Sequence, residues 1–167
     1  MTSRSIRKSL LVIGLATSSM AIGAEASDFI SIAESRPANE LWLNPGFYSY
    51  HFQKDKGFNN SNFGLGGEYR FTTTSAAMLG IFDNSDRQTS RYIGWLWQPL
   101  ASGPVRIGAV AGAIDGYPHM RNGGWFAAVI PTASFEYGNI GANLLFVPSY
   151  KDRLHGAISL QVKFRVF

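Results

Sequence analysis

From about residue 41 onward the chain alternates apolar and polar side chains with a period of two. Phe63, Leu65, Tyr69 and Phe71 stand against Gly64, Gly66, Glu68, Arg70 and Thr72. Val105, Ile107, Ala109, Ala111 and Ala113 stand against Arg106, Gly108, Val110 and Gly112. Ile158, Leu160, Val162, Phe164 and Val166 stand against Ser159, Gln161, Lys163 and Arg165. A strand sends successive side chains to opposite faces, so each set shares one face of a sheet. The pattern predicts eight strands, over about 41–53, 62–73, 75–84, 89–99, 104–114, 125–137, 139–149 and 155–167. Their connectors alternate in length. Thr73-Thr74-Ser75, Ala101-Ser102-Gly103 and Gly138-Asn139 are tight, whereas 54–61, 85–88, 115–124 and 150–154 are longer and mostly polar. Short turns on one side, long loops on the other and an even number of strands are the marks of an outer-membrane barrel. The expected fold is therefore all-β: an eight-stranded antiparallel up-and-down outer-membrane β-barrel over residues 41–167.

Which face is the outer one does not follow from alternation, which is symmetric under inversion. A soluble barrel puts its apolar stripe inside. A barrel in hydrocarbon must close so that every backbone polar group is paired, and turns its apolar stripe outward. The aromatic load favours the second arrangement. Trp42, Tyr48, Tyr69, Trp95, Trp97, Trp125, Tyr137 and Tyr150 fall near predicted strand ends or outer faces, as an interfacial girdle requires. Phe167 is a terminal aromatic of the kind that ends such barrels, although its odd number breaks the even parity running to Val166, which calls for either a kink at the end or a degenerate signal. Pro45, Pro131 and Pro148 fall within predicted strands, where proline cannot donate to the ladder. Pro131 and Pro148 lie on neighbouring segments, which suits either a lateral opening for a lipid tail or a simple bulge.

The first segment reads as an address. Arg4, Arg7 and Lys8 precede an apolar run from Leu10 to Ala16, and Ala24-Glu25-Ala26 has the form of a signal-peptidase site, so 1–26 is expected to be a secretory signal peptide. Residues 27–40, with Phe29, Ile30 and Ile32, are expected to be a short periplasmic or interfacial segment, in which a short helix could form. The formal net charge of +4 owes much to the leader, so nucleic-acid binding gains no support. Charged residues make up 16% of the chain against about 25% in soluble domains. There is no cysteine, which excludes disulfide frameworks and thiolate metal sites. No cofactor and no metal site is expected, since P-loop, dinucleotide, zinc and Gly-x-Ser-x-Gly patterns are missing from the sequence.

Eight strands leave room for side chains or one small ligand. With the apolar set outward, Glu68, Arg70, Arg106, Glu136, Asn143, Lys163 and Arg165 face inward, either as a plug or beside a cavity kept open by Gly64, Gly66, Gly94, Gly108 and Gly112. Polar residues collect on the long-loop side: His51, the run Asp83-Asn84-Ser85-Asp86-Arg87, His119 with Arg121, and Lys151, Asp152, Arg153 and His155. A His, an Asp and a Ser at one rim suit acyl transfer, with His as base, a carboxylate to orient it and Ser as nucleophile or polar stabiliser. The expected site is His51, Asp83 and Ser85.

These residues resemble the lipid A palmitoyltransferase family of outer-membrane barrels. Ile130-Pro131-Thr132-Ala133-Ser134-Phe135-Glu136-Tyr137-Gly138 looks like that family's Leu-Pro-Leu-Ala-Ser-Val-x-Tyr-Gly stretch. Phe146-Val147-Pro148 resembles its closing segment, and Phe82-x-x-Ser85, Gly94 and Trp97-Gln98-Pro99-Leu100 resemble its middle. By the family's spacing Ser85 matches its Ser, His51 lies within a residue or two of its His, and Asn84 stands where the family has Asp, with Asp83 and Asp86 beside it. The resemblance implies an acyl chain held in the barrel, phospholipid as donor, lipid A as acceptor, lateral lipid access framed by Pro131 and Pro148, and insertion into a Gram-negative outer membrane by the barrel assembly machinery. Two other readings stay open: a non-catalytic structural or adhesive barrel, and a transporter of a small solute such as glycerol phosphate, against which the narrow bore argues.

Overall fold

The computed structural model describes residues 29–151 and 153–167; the expected signal peptide lies outside the described residues. Its strands are β1 (Ser31–Ile32), β2 (Pro37–His51), β3 (Ser61–Thr72), β4 (Ser75–Asp83), β5 (Thr89–Ser102), β6 (Val105–Ile114), β7 (Phe126–Tyr137), β8 (Ile140–Val147) and β9 (Ala157–Arg165). Each of β2 to β9 pairs antiparallel with its sequence neighbours, and β9 returns to β2. The result is a closed eight-stranded antiparallel β-barrel. Two-residue β1 adds itself to β5 at Leu100 and Ala101. The described part of 27–40 forms no helix, and β2 begins four residues earlier than alternation predicts, at Pro37.

At one end the hairpins turn tightly. Gly103 and Gly138 hold φ of +55° and +59°, a backbone that a side chain at Cβ disfavours, so these turns need glycine. At the other end lie the long connections, among them the segment after β2, where Lys54–Lys56 form a single 3₁₀ turn.

The structure removes the inversion ambiguity. Leu65, Leu79, Ile93, Trp97, Val129 and Leu144 are exposed on the outer wall, while Glu68, Arg70, Gln98, Asn143, Gln161 and Lys163 are buried inside. The barrel is apolar outside and polar within. Tyr69, Trp95, Trp97 and Tyr137 ring the short-turn end, and Tyr48, Tyr50 and Trp125 the other. Trp42 departs from its expected place in the girdle. It is 1% exposed and points into the bore, where its indole N–H donates to Glu40 Oε2 at 2.9 Å and Lys163 Nζ sits 5.0 Å from its ring centre. The parity of β2 places it there, together with Asn44.

The three strand prolines have different consequences. Pro45 sits at a bulge: register shifts against β3 between Asn44 and Gly46 and against β9 between Leu43 and Tyr48. One extra residue there restores the inward parity of Phe47, Ser49 and His51. Pro131 and Pro148 mark a seam. The β7–β8 ladder runs from Tyr137↔Ile140 to Thr132↔Leu145 and then stops, although β7 continues back to Phe126 and β8 on to Val147. The ladder ends where Pro131 cannot supply an amide proton. At the terminus β9 ends at Arg165, and Val166 and Phe167 beyond it are both exposed, so the strand's parity no longer governs them.

Candidate functional site

The bore has a floor, a wall and a rim. The floor lies toward the short turns. Lys163 Nζ donates to Glu68 Oε1 at 2.8 Å and to Glu136 Oε1 at 2.7 Å. Arg70 reaches the same two carboxylates, each at 2.8 Å, and Arg106 pairs with Glu136. Above them Gln98 donates to Ser134 at 2.7 Å, Ser134 to Asn143 at 2.7 Å, and Asn143 to Gln161 at 2.9 Å. The expected inward charges thus meet in one network, except Arg165, which is partly exposed and pairs with Glu40 at 2.7 Å. Charges removed from water persist only when paired in this way. A floor of this kind across the bore counts against a solute channel.

Above the floor the two sides of the wall differ. On the β2–β5 side Phe47, Phe82 and Tyr92 pack edge to face, and Met78, Leu96 and Phe82 are buried. On the β6–β8 side Phe126 and Leu145 are also buried and Val110 packs against the Met78–Leu96 cluster, while the inward Ala128, Ile130 and Val147 are half-buried. Small and branched apolar side chains thus line the bore beside the β7–β8 seam. The glycines act differently from the expectation of an open bore. A Cβ at Gly66 would meet the Tyr92 hydroxyl, and one at Gly64, Gly108 or Gly112 would meet the neighbouring strand's backbone. These positions let strands and the Tyr92 ring approach closely.

The rim carries the chemistry. His51, at the inward end of β2, is 6% exposed. Its Nε2 lies 2.7 Å from Ser85 Oγ, and its Nδ1 lies 2.8 Å from Asn60 Oδ1. With Asn60 Oδ1 as acceptor, Nδ1 carries the proton, and Nε2 presents a lone pair to the Ser85 hydroxyl. The structure thus joins two of the three expected residues. Asp83 is a correction: its side chain is exposed on the outer face, because Phe82 and Asn84 point inward and strand parity turns the residue between them out. Only its backbone carbonyl faces the network, accepting from Asn62 Nδ2 at 2.9 Å.

Asn60 takes the orienting place instead. Hairpin register could have revealed it, since Asn62 points inward and Asn60 lies two residues further along the same face, with its carbonyl bonded to the Ser49 amide. Asn84 is structural. Its amide donates to Ser90 Oγ and the Gly116 carbonyl, and its Oδ1 accepts from the amides of Asp86 and Gln88. An ionised Asp would lose both donations. Asn84 therefore shapes the turn that presents Ser85.

Loops close over this relay. Phe58 stacks between the rings of His51 and His155, at 4.9 Å and 4.7 Å. Tyr117, from the loop after β6, lies against Ser85 and Asp86. Burial pushes its phenol above the usual tyrosine range, the Asp86 carboxylate adds to this, and the Ser85 contact pulls weakly back. Tyr117 thus remains a protonated donor near the serine at neutral pH. A cleft of about 160 Å³ opens beside His51, walled by Tyr50, Lys54, Gly57, Phe58 and Asn60. Next to Tyr117, Asp115 accepts from Arg91 Nη2 at 2.6 Å. Desolvation opposes charge on Asp115, but the Arg91 hydrogen bonds outweigh it and hold the carboxyl below the usual aspartate range. Among the described residues no cluster of His, Asp and Glu has a metal-binding arrangement.

Compared with known proteins, the chain matches no family model and no curated protein.

Proposed function

We propose that this chain is an outer-membrane barrel that draws an acyl chain from a phospholipid through the β7–β8 seam and passes it to lipid A at the rim. The observation that carries the reading is the His51–Ser85 pair, 2.7 Å apart and oriented by Asn60, at the mouth of a barrel with an apolar outer wall. An apolar wall with aromatic rims suits residence in hydrocarbon, where the donor lipid is found. The seam between Pro131 and Pro148 gives a tail a way past the backbone ladder, and the inward Ala128 and Ile130 beside it are apolar. The resemblance to lipid A palmitoyltransferases supports the same donor and acceptor.

Mass spectrometry of lipid A from outer membranes with and without the chain tests this. One additional acyl group per lipid A is expected with the wild type, and about a hundredfold less of it with His51→Ala, as for loss of a general base. Unchanged lipid A under membrane stress would reject the transfer. Ala128→Phe should shorten the acyl chain that is transferred, because the added ring projects into the bore beside the seam. An unaltered chain-length distribution would place the tail elsewhere.

The charged floor favours a second reading, a non-catalytic structural barrel, since its lower bore is packed with mutually satisfied charges. The two readings separate on lipid A.

A further inference from the structure

We infer that Ser85 is a nucleophile that carries the acyl group covalently, and that Asn60 is the positioning residue for its base. The barrel would then be a two-step enzyme, able to hydrolyse a phospholipid ester when water replaces the acceptor. The inference rests on the acyl-transfer reading and names how that site works.

Three observations converge. Ser85 Oγ has the His51 Nε2 lone pair at 2.7 Å. The other ring nitrogen is fixed by Asn60 Oδ1 at 2.8 Å, so the tautomer that makes Nε2 a base is the one the site holds. The Ser85 backbone is fixed in turn, because its carbonyl accepts from the Asn59 amide at 2.9 Å and the Asn84 side chain ties the flanking turn together. Serine, histidine and a side-chain carbonyl in this order reproduce the roles of a nucleophile triad, in which an amide serves as orienter in place of a carboxylate.

The chemistry balances without a further reactant. Ser85 Oγ bonds to the ester carbonyl carbon while its proton passes to His51 Nε2. The tetrahedral adduct collapses, the bond to the glycerol oxygen breaks, and His51 returns the proton to that oxygen, releasing lysophospholipid. The acyl group remains as an ester on Ser85. A hydroxyl of the acceptor, or water, then gives its proton to His51 and attacks the acyl carbon. Ser85 leaves and recovers the proton. Asn60 touches no reacting atom; it holds the ring so that a neutral imidazole faces the serine.

Labelling with a long-chain alkyl fluorophosphonate, which displaces fluoride onto a nucleophilic serine, tests the inference on the full chain folded in detergent. Peptide mass mapping should place one phosphonyl group on Ser85, with none on Ser85→Ala. His51→Ala should slow labelling about a hundredfold. Asn60→Ala should slow it by up to about a hundredfold through loss of ring alignment, and Asn60→Asp, which keeps an acceptor for Nδ1, should restore it. Heat-modifiable gel mobility reports folding for each variant. No label on the folded wild type overturns the covalent step even if lipid A is acylated, since transfer would then be direct. Labelling of His51→Ala at the wild-type rate overturns the relay. Labelled Ser85 together with unmodified lipid A upholds the covalent step and removes lipid A as its acceptor.

Discussion

Glu68→Ala is expected to destabilise the barrel by about 3–5 kcal/mol, the range for removing one partner of a buried ion pair. Glu68 accepts from Lys163 at 2.8 and 2.9 Å, pairs with Arg70 at 2.8 Å, and accepts from Asn143 at 3.1 Å. All three of these partners are buried. Without Glu68, Lys163, Arg70 and Arg106 would share Glu136 alone, and uncompensated positive charge would remain in a medium that solvates it poorly. The variant should unfold at lower urea concentration in vesicles, with an unchanged transition slope. A loss below about 1 kcal/mol would mean that water reaches the floor freely, as at exposed pairs. Replacing the whole cluster with apolar residues of similar volume is a different experiment and can be neutral.

Ile93→Arg is expected to have the second largest effect. Ile93 is 59% exposed on β5, paired with Leu79 at the centre of β4 and with Ala113. In a bilayer an arginine at that depth on the outer wall costs about 2–4 kcal/mol. On a water-facing surface the same change stays within about 0.5 kcal/mol. Folding titrations in lipid vesicles distinguish the two, and a near-zero change there would reject residence in hydrocarbon.

The strands were legible in the sequence because a period of two is a backbone property, independent of what surrounds the sheet. Their orientation was not, since turning every side chain over leaves the pattern intact; closure in three dimensions decides it. Trp42 shows the same gap at a single residue. Aromatic identity suggested the girdle, but parity with Asn44 and the bond to half-buried Glu40 place it inside. At the rim, His51 and Ser85 could be read from residue type and segment ends. Asp83 misled because a carboxylate is the usual orienter, whereas its strand turns it outward. Asn60 escaped notice because loop residues carry no periodicity, and only the hairpin register brings it opposite Ser49 and so diagonally beside His51. Pro131 and Pro148 were visible as missing donors, but whether such residues cause a bulge or a seam depends on where the neighbouring ladder stops.

The joining of β2 to β9 has a kinetic side. Trp42 pairs with Arg165, and the Leu41 amide donates to the Phe167 carbonyl at 2.9 Å. The first strand of the barrel therefore has no partner on one edge until the last has been made. Every other hairpin can form from local contacts, so loop closure over nearly the whole barrel is the late, slow event. Until then both terminal strands present bare amide and carbonyl rows, which invite pairing with another chain. The unclosed sheet is thus the stage at which this connectivity leaves the chain most open to mispairing, whatever reaction the finished barrel performs.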